Sequence, residues 1–147
     1  MLRFSTKGRY ALRIMIELAR CAPGESISIR TLSERQSITP KYMEYIMAML
    51  LHDRLVMSMR GKSGGYRLTR PAEEYTVFDI LSAAEGDLSP VQCLSQGENP
   101  CPMKGNCATL PLWEGLEKGL HEYLKGITLA DLLKNTGENA GCCCAMD

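Results

Sequence analysis

Residues 39–68 read TPKYMEYIMAMLLHDRLVMSMRGKSGGYRL, and this run decides the fold. Thr39 offers a capping hydroxyl and Pro40 a pre-set φ at the first helical position, so a helix starts here and runs to about Asp53. Tyr42, Ile46, Met49 and Leu50 share one face of it, expected to be core, while Lys41, Glu44, Tyr45 and Ala48 share the opposite, solvent face. Residues 55–60 alternate as a strand, Gly61-Lys62-Ser63-Gly64-Gly65 turn the chain, and residues 66–68 return as a second strand.

Upstream, Ser5 or Thr6 caps a first helix in which Ala11, Met15 and Leu18, with Ile14 and Ala19 beside them, recur at helical spacing until Pro23-Gly24 stops it. Cys21 at its end reads as packing rather than chemistry. Ser28 caps a short second helix through Gln36, with Ile29 and Leu32 turned inward. The fold class is therefore mainly α with a small β-hairpin wing. Three short helices followed by a hairpin make a winged helix-turn-helix, the geometry that carries an exposed helix face into a DNA major groove.

The chemistry of the exposed residues agrees with that use. Lys41, Glu44 and Tyr45 are the candidate readers, because glutamate accepts from the cytosine amino group and lysine donates to guanine or phosphate. Arg60 and Lys62 stand on the glycine-rich wing, suited to a narrow minor groove. Gly64 and Gly65 either let backbone amides approach phosphates or serve a turn that needs positive φ. Tyr42 and Tyr45 have a competing reading as packing aromatics. Thr39 and Tyr42 complete the DNA-contact set on the helix, and Arg3, Ser5, Lys7 and Arg9 are phosphate candidates at the N-terminus.

Charge divides the chain. Its 17 Lys and Arg balance its 17 Asp and Glu, yet residues 1–70 hold 13 basic against five acidic side chains and residues 71–147 hold four against twelve. Phosphates attract the first half through counterion release, whereas the acidic half is left for self-association or sensing. No apolar run approaches the roughly 20 residues of a membrane helix, and the basic N-terminus lacks the apolar stretch of a signal peptide, so a cytoplasmic protein without a membrane partner is expected. No nucleotide loop and no nucleophile-base pair is found, so neither an enzyme nor a small-molecule substrate is expected.

Beyond Pro71, Thr76 and Asp79 form a capping box that opens a helix to Glu85, with Gly86 as its stop. Cys93, Cys101 and Cys107 then follow at C-x7-C-x5-C spacing in a loop with two prolines, two glycines and two asparagines. Thiolates gathered on irregular backbone suit an iron-sulfur cluster, with zinc, a thiol or disulfide switch and inert cysteines as the alternatives. Seven cysteines without a signal peptide favour ligands or redox-active thiols over structural disulfides.

Thr109 and Pro111 start another helix of about fifteen residues, on which Leu112, Leu116, Leu120 and Leu124 repeat every four residues beside Trp113 and Tyr123. Such a ridge is suited to a second subunit as much as to its own domain. Gly126 closes it, and residues 128–131 cap a last short helix through Lys134. The tail with Cys142, Cys143 and Cys144 is expected to be flexible. The organisation expected is a DNA-binding domain over 1–85, a cysteine loop over 86–108, a dimerisation helix and short terminal helix over 109–134, and the tail over 135–147.

With RFSTKGRYA (3–11), LSERQ (32–36), TPKYME (39–44), RGKSGGYRL (60–68), the three loop cysteines and ITLADL (127–132) in view, residues 1–134 resemble the bacterial IscR/NsrR-type transcription regulators. The resemblance implies a homodimeric winged-helix repressor or activator that binds a palindromic operator through double-stranded DNA. It also implies a long dimerisation helix and a 2Fe-2S cluster held by Cys93, Cys101 and Cys107. Two departures stand out. The histidine that serves iron-sulfur biogenesis regulators as fourth ligand is Leu110 here, and the acidic residue of the nitric-oxide branch is Arg9. Glu98, His121 and the residues 142–144 remain as candidates for that fourth position. A cluster-free, thiol-switched repressor of the same fold and a cluster- or metal-carrier protein are the rival readings.

Overall fold

A computed structural model describes residues 3–95 and 98–135, so Cys142, Cys143 and Cys144 lie outside the described residues. Among the described residues, six helices and one hairpin follow in the order α1 (Thr6–Ala19), α2 (Ile29–Gln36), α3 (Pro40–His52), β1 (Val56–Met59), β2 (Gly65–Leu68), α4 (Val77–Glu85), α5 (Leu110–Lys125) and α6 (Leu129–Lys134). Short 3-10 turns occupy Ala72–Glu74 and Gln92–Leu94. The chain is mainly α with a two-stranded wing, as its sequence implied.

Local chemistry starts most of these helices. Ser28 Oγ accepts from Thr31 N–H at 3.1 Å and Thr39 Oγ1 accepts from Tyr42 N–H at 3.4 Å, each capping its helix. Thr76 with Asp79, and Thr128 with Asp131, close reciprocal capping boxes on α4 and α6. Ser37, at φ 54°, turns α2 into α3, and the backbone N–H of Ile38 reaches Ser33 O at 3.1 Å.

One expected end moved and one cap is made differently. α1 stops at Ala19 rather than at Pro23-Gly24, because Arg20 N–H bonds back to Ile16 O and Glu17 O in a closing turn. Ser5 is the N-cap of α1, yet its side chain makes no bond within its own helix. Its N–H and hydroxyl both donate to Glu85 Oε1 on α4, each at 2.7 Å.

The main core joins α1, α2, α3, β1, α4 and α6. Ala11, Ile14, Met15, Leu32, Ile46, Leu50, Tyr75, Ile80 and Leu129 are fully buried in it. On α3 the buried face is Met43, Ile46, Met47 and Leu50, whereas Tyr42 and Met49 are only half-buried at its flanks. The seam is thus rotated from the one expected, because α3 packs against α1, α2, α4 and β1 together.

Tyr75 is the polar hub of this core. It is fully buried, and its hydroxyl donates to Leu55 O at 2.7 Å and accepts from Thr69 N–H at 2.9 Å and Arg70 N–H at 3.2 Å, so it ties both ends of the hairpin to the segment that leads into α4. The Arg70 guanidinium lies 4.4 Å over its ring.

The wing pairs antiparallel with Val56 opposite Leu68 and Met59 opposite Gly65. A bridge between Ile27 and Tyr66, with bonds of 2.8 and 3.0 Å, joins it to the loop between α1 and α2. That closeness requires Gly65: its φ is +150°, and a Cβ there would strike Ile27 O.

A second, smaller core holds Val77, Leu81, Leu88 and Leu124. Of the leucine ridge on α5, only Leu124 is buried; Leu112, Leu116 and Tyr123 are 63%, 44% and 68% exposed. Among the described residues, no helix is long and apolar enough to cross a membrane.

Candidate nucleic-acid interface and cysteine loop

The N-terminal capping of α3 by Thr39 fixes which residues point outward. Lys41, Glu44, Tyr45 and Ala48 all lie exposed on one face, and Thr39 is exposed at its start. Arg60 and Lys62 are exposed on the wing, while Gly64 and Gly65 are half-buried in its turn. A Cβ at Gly64 would meet Gly61 O and Met59 O at 2.7 Å, so both glycines have a steric reason in the hairpin itself. At the N-terminus Arg3 and Arg9 are exposed, Lys7 is half-buried, and the Ser5 hydroxyl is committed to Glu85.

The two tyrosines differ in burial but share one packed series of rings. Tyr42 is half-buried and packs edge-on against Tyr10 of α1, with centroids 6.0 Å apart. Tyr45 is 51% exposed and stacks on Tyr42 at 6.1 Å with 20° between the planes. Tyr10 in turn carries the Arg13 guanidinium 5.2 Å over its ring, and Arg13 is fixed to Gln36 through Nε to Oε1 at 2.8 Å and Nη2 to the backbone O at 3.1 Å. The contribution of Tyr10 and Arg13 was not read from the sequence. Their three-residue spacing on one helix face was the available signal.

The cysteine loop is built from short turns. Cys93 lies in the 3-10 turn Gln92–Leu94, and Asn99 Oδ1 accepts from Cys101 N–H at 3.0 Å. Lys104 N–H reaches Cys101 O at 3.2 Å, and Leu110 N–H reaches Cys107 O at 3.3 Å as α5 begins. Ser89 links the loop to α5: its Oγ lies 2.8 Å from Glu117 Oε1 and 3.1 Å from Leu94 O.

Cys93, Cys101 and Cys107 are free and half-buried. Thr109 Oγ1 lies 3.3 Å from Cys107 Sγ, so the hydroxyl expected to cap α5 is turned to the sulfur instead. That side-chain bond, aided by the Thr109 and Leu110 backbone N–H groups, holds the Cys107 thiol below its ordinary pKa against a small opposing effect of burial.

Three soft thiols in one loop, one of them stabilised as thiolate, are a donor set that suits an iron-sulfur cluster or zinc. Among the described residues, however, no three His, Cys, Asp or Glu side chains converge as a metal-binding group. The loop would have to close for its sulfurs to share one centre. Glu98 is exposed, and the His121 ring packs edge-on against Phe78 at 4.9 Å.

A helix-turn-helix with an attached hairpin and an exposed polar face on its second helix defines a winged-helix DNA-binding protein. Residues 4–135 match the Rrf2 family, described as iron-dependent transcriptional regulators. The chain belongs to the Rrf2 family of helix-turn-helix transcriptional regulators.

Among its solved relatives, the CymR global cysteine regulator of B. subtilis is 36% identical, with a TM-score of 0.74 covering 93% of this chain and 100% of that one. T. potens IscR is 34% identical, with a TM-score of 0.73 covering 95% of this chain and 91% of that one. The IscR regulator of Escherichia coli O1:K1 is 34% identical over 134 residues, 91% of this chain and 82% of that protein.

Proposed function

We propose that the chain acts in the cytoplasm as a homodimer that binds a palindromic operator and adjusts that binding through its cysteine loop. The observation that carries the DNA reading is the solvent-facing row Lys41, Glu44 and Tyr45 on α3 of a winged helix, with Arg60 and Lys62 on the attached hairpin. Lys41, Glu44 and Tyr45 read base edges in the major groove, with Thr39 and Tyr42 beside them. Arg60 enters the minor groove, with Lys62 and the turn at Gly64 and Gly65 near the backbone. Arg3, Lys7 and Arg9 supply phosphate contacts, whereas the N–H and the hydroxyl of Ser5 are both taken by Glu85.

Residues 1–85 form the DNA-binding unit, 86–108 the sensing loop and 109–134 the dimerisation segment. The exposure of Leu112, Leu116 and Tyr123 supports a second copy on α5, since their own chain leaves them open to solvent. A dimer presents two reading helices to half-sites about one helical turn, or a small multiple of it, apart.

Cys93, Cys101 and Cys107 are the residues that would hold a 2Fe-2S cluster, with the fourth ligand drawn from Glu98, His121 or the C-terminal cysteines. When bound, such a group supplies sensitivity to iron-sulfur supply, nitric oxide or redox state. Ser89, whose Oγ lies 3.1 Å from Leu94 O and 2.8 Å from Glu117 Oε1, would carry a change in the loop to α5. The second reading is a thiol switch without a cluster. It is favoured by the unconverged sulfurs and by the thiolate-stabilising bond at Cys107.

Anaerobic purification with visible absorption and iron-to-sulfide analysis, beside Cys101→Ala, separates the two. Charge-transfer bands lost in the variant support the cluster; a colourless protein after anaerobic reconstitution removes it and leaves the thiol switch. Arg60→Ala tests the DNA role: a regulator loses operator affinity, whereas a cluster or metal carrier loses nothing.

A further inference from the structure

We propose that Tyr10 and Tyr42 are positioning residues that hold Tyr45 in its DNA-reading orientation, with Arg13 locking the stack to the C-terminal end of α2. The inference deepens the reading of α3 as the base-reading helix and rests on it.

An exposed tyrosine on a helix ordinarily samples several rotamers, and fixing one costs side-chain entropy on binding. Here that cost is met in the free protein. The Tyr45 ring lies nearly parallel to Tyr42, Tyr42 is set edge-on to Tyr10, and Tyr10 lies under the Arg13 guanidinium. The series ends on two Arg13 bonds to Gln36, the last residue of α2. Three helices of the helix-turn-helix body therefore converge on one outward ring. Tyr10, half-buried on α1, acts on the base edge only through Tyr42 and Tyr45.

The test is a double-mutant cycle on a duplex selected from a random pool by the intact protein. Tyr10→Leu is expected to weaken binding of that duplex about tenfold, while binding of unselected duplex changes less than about twofold. In a Tyr45→Ala background the same Tyr10→Leu change is expected to have no further effect on the selected duplex. Tyr10→Phe retains the ring and retains affinity.

Equal losses from Tyr10→Leu in both backgrounds, or no loss in the first, would overturn the proposal. Thermal melting of each variant shows whether Tyr10→Leu remains folded, and where it does not, Arg13→Gln is taken through the same cycle. If Tyr45→Ala alone leaves selected-duplex affinity unchanged, what fails is the reading of Tyr45 as a DNA contact, and the positioning role falls with it.

Discussion

Glu85, the last residue of α4, caps the start of α1: its Oε1 accepts from both the N–H and the hydroxyl of Ser5, at 2.7 Å each, across 80 residues of sequence. A carboxylate at a helix N-terminus meets the positive end of the helix dipole as well as two orphan donors. Gly8 makes the room for it, since a Cβ at that position would overlap Glu85 Oε1. The end of α4, from which the cysteine loop departs, is thereby joined to α1, whose Tyr10 packs against Tyr42 of α3.

Removing this cap has a measurable cost. Glu85→Ala is expected to destabilise the protein by about 1–3 kcal/mol and to lower Tm by several degrees. Glu85→Gln keeps an acceptor oxygen and should lose less. Circular dichroism melts of the two variants check this order, and an unchanged Tm for Glu85→Ala would contradict the cap.

The wing depends on the close passage of Gly65 past Ile27. Gly65→Ala places a methyl group against Ile27 O and forces alanine into positive φ, for a cost of about 2 kcal/mol or more. The bridge between Ile27 and Tyr66 should open, with faster hydrogen exchange at the Tyr66 and Ile27 amides and weaker DNA binding. Unaltered exchange at both amides would show that the wing is held elsewhere.

The Thr109 hydroxyl beside Cys107 is expected to tune the reactivity of that thiol. The hydroxyl stabilises the thiolate, so Thr109→Val removes the largest cause of the lowered pKa and raises it. Below the shifted pKa the variant holds less thiolate and Cys107 alkylates more slowly; well above both pKa values the rates converge. A pH profile of iodoacetamide labelling, read at Cys107 by peptide mapping, should move to higher pH in the variant. Coincident profiles would remove Thr109 from the account.

Much of the fold was legible because its signals are local. A hydroxyl three residues before a backbone N–H defines a helix start wherever the remainder of the chain lies, so Ser28, Thr39, Thr76 and Thr128 marked four helices correctly. Ser5 and Thr109 also stand at the N-caps of their helices, as expected, but neither side chain makes the capping bond. In each the hydroxyl found a stronger partner than its own helix, the Glu85 carboxylate in one and the Cys107 sulfur in the other. The outward row on α3 was equally legible, since helical spacing alone separates Lys41, Glu44 and Tyr45 from the buried face.

What the sequence by itself determined, then, is where the helices and the hairpin begin, which face of α3 meets solvent, and that three thiols share one irregular loop. Tertiary structure alone decided that Met43 and Met47 rather than Tyr42 and Met49 fill the centre, that Tyr75 is a buried hub, and that Tyr10 supports Tyr45. It also decided that Leu112 and Leu116 of the α5 ridge stay exposed and that, among the described residues, no three metal-ligating side chains converge. The physical reason is range. Capping and periodicity act within about one helical turn, whereas packing, aromatic stacking and ligand convergence depend on residues that only the folded chain brings together.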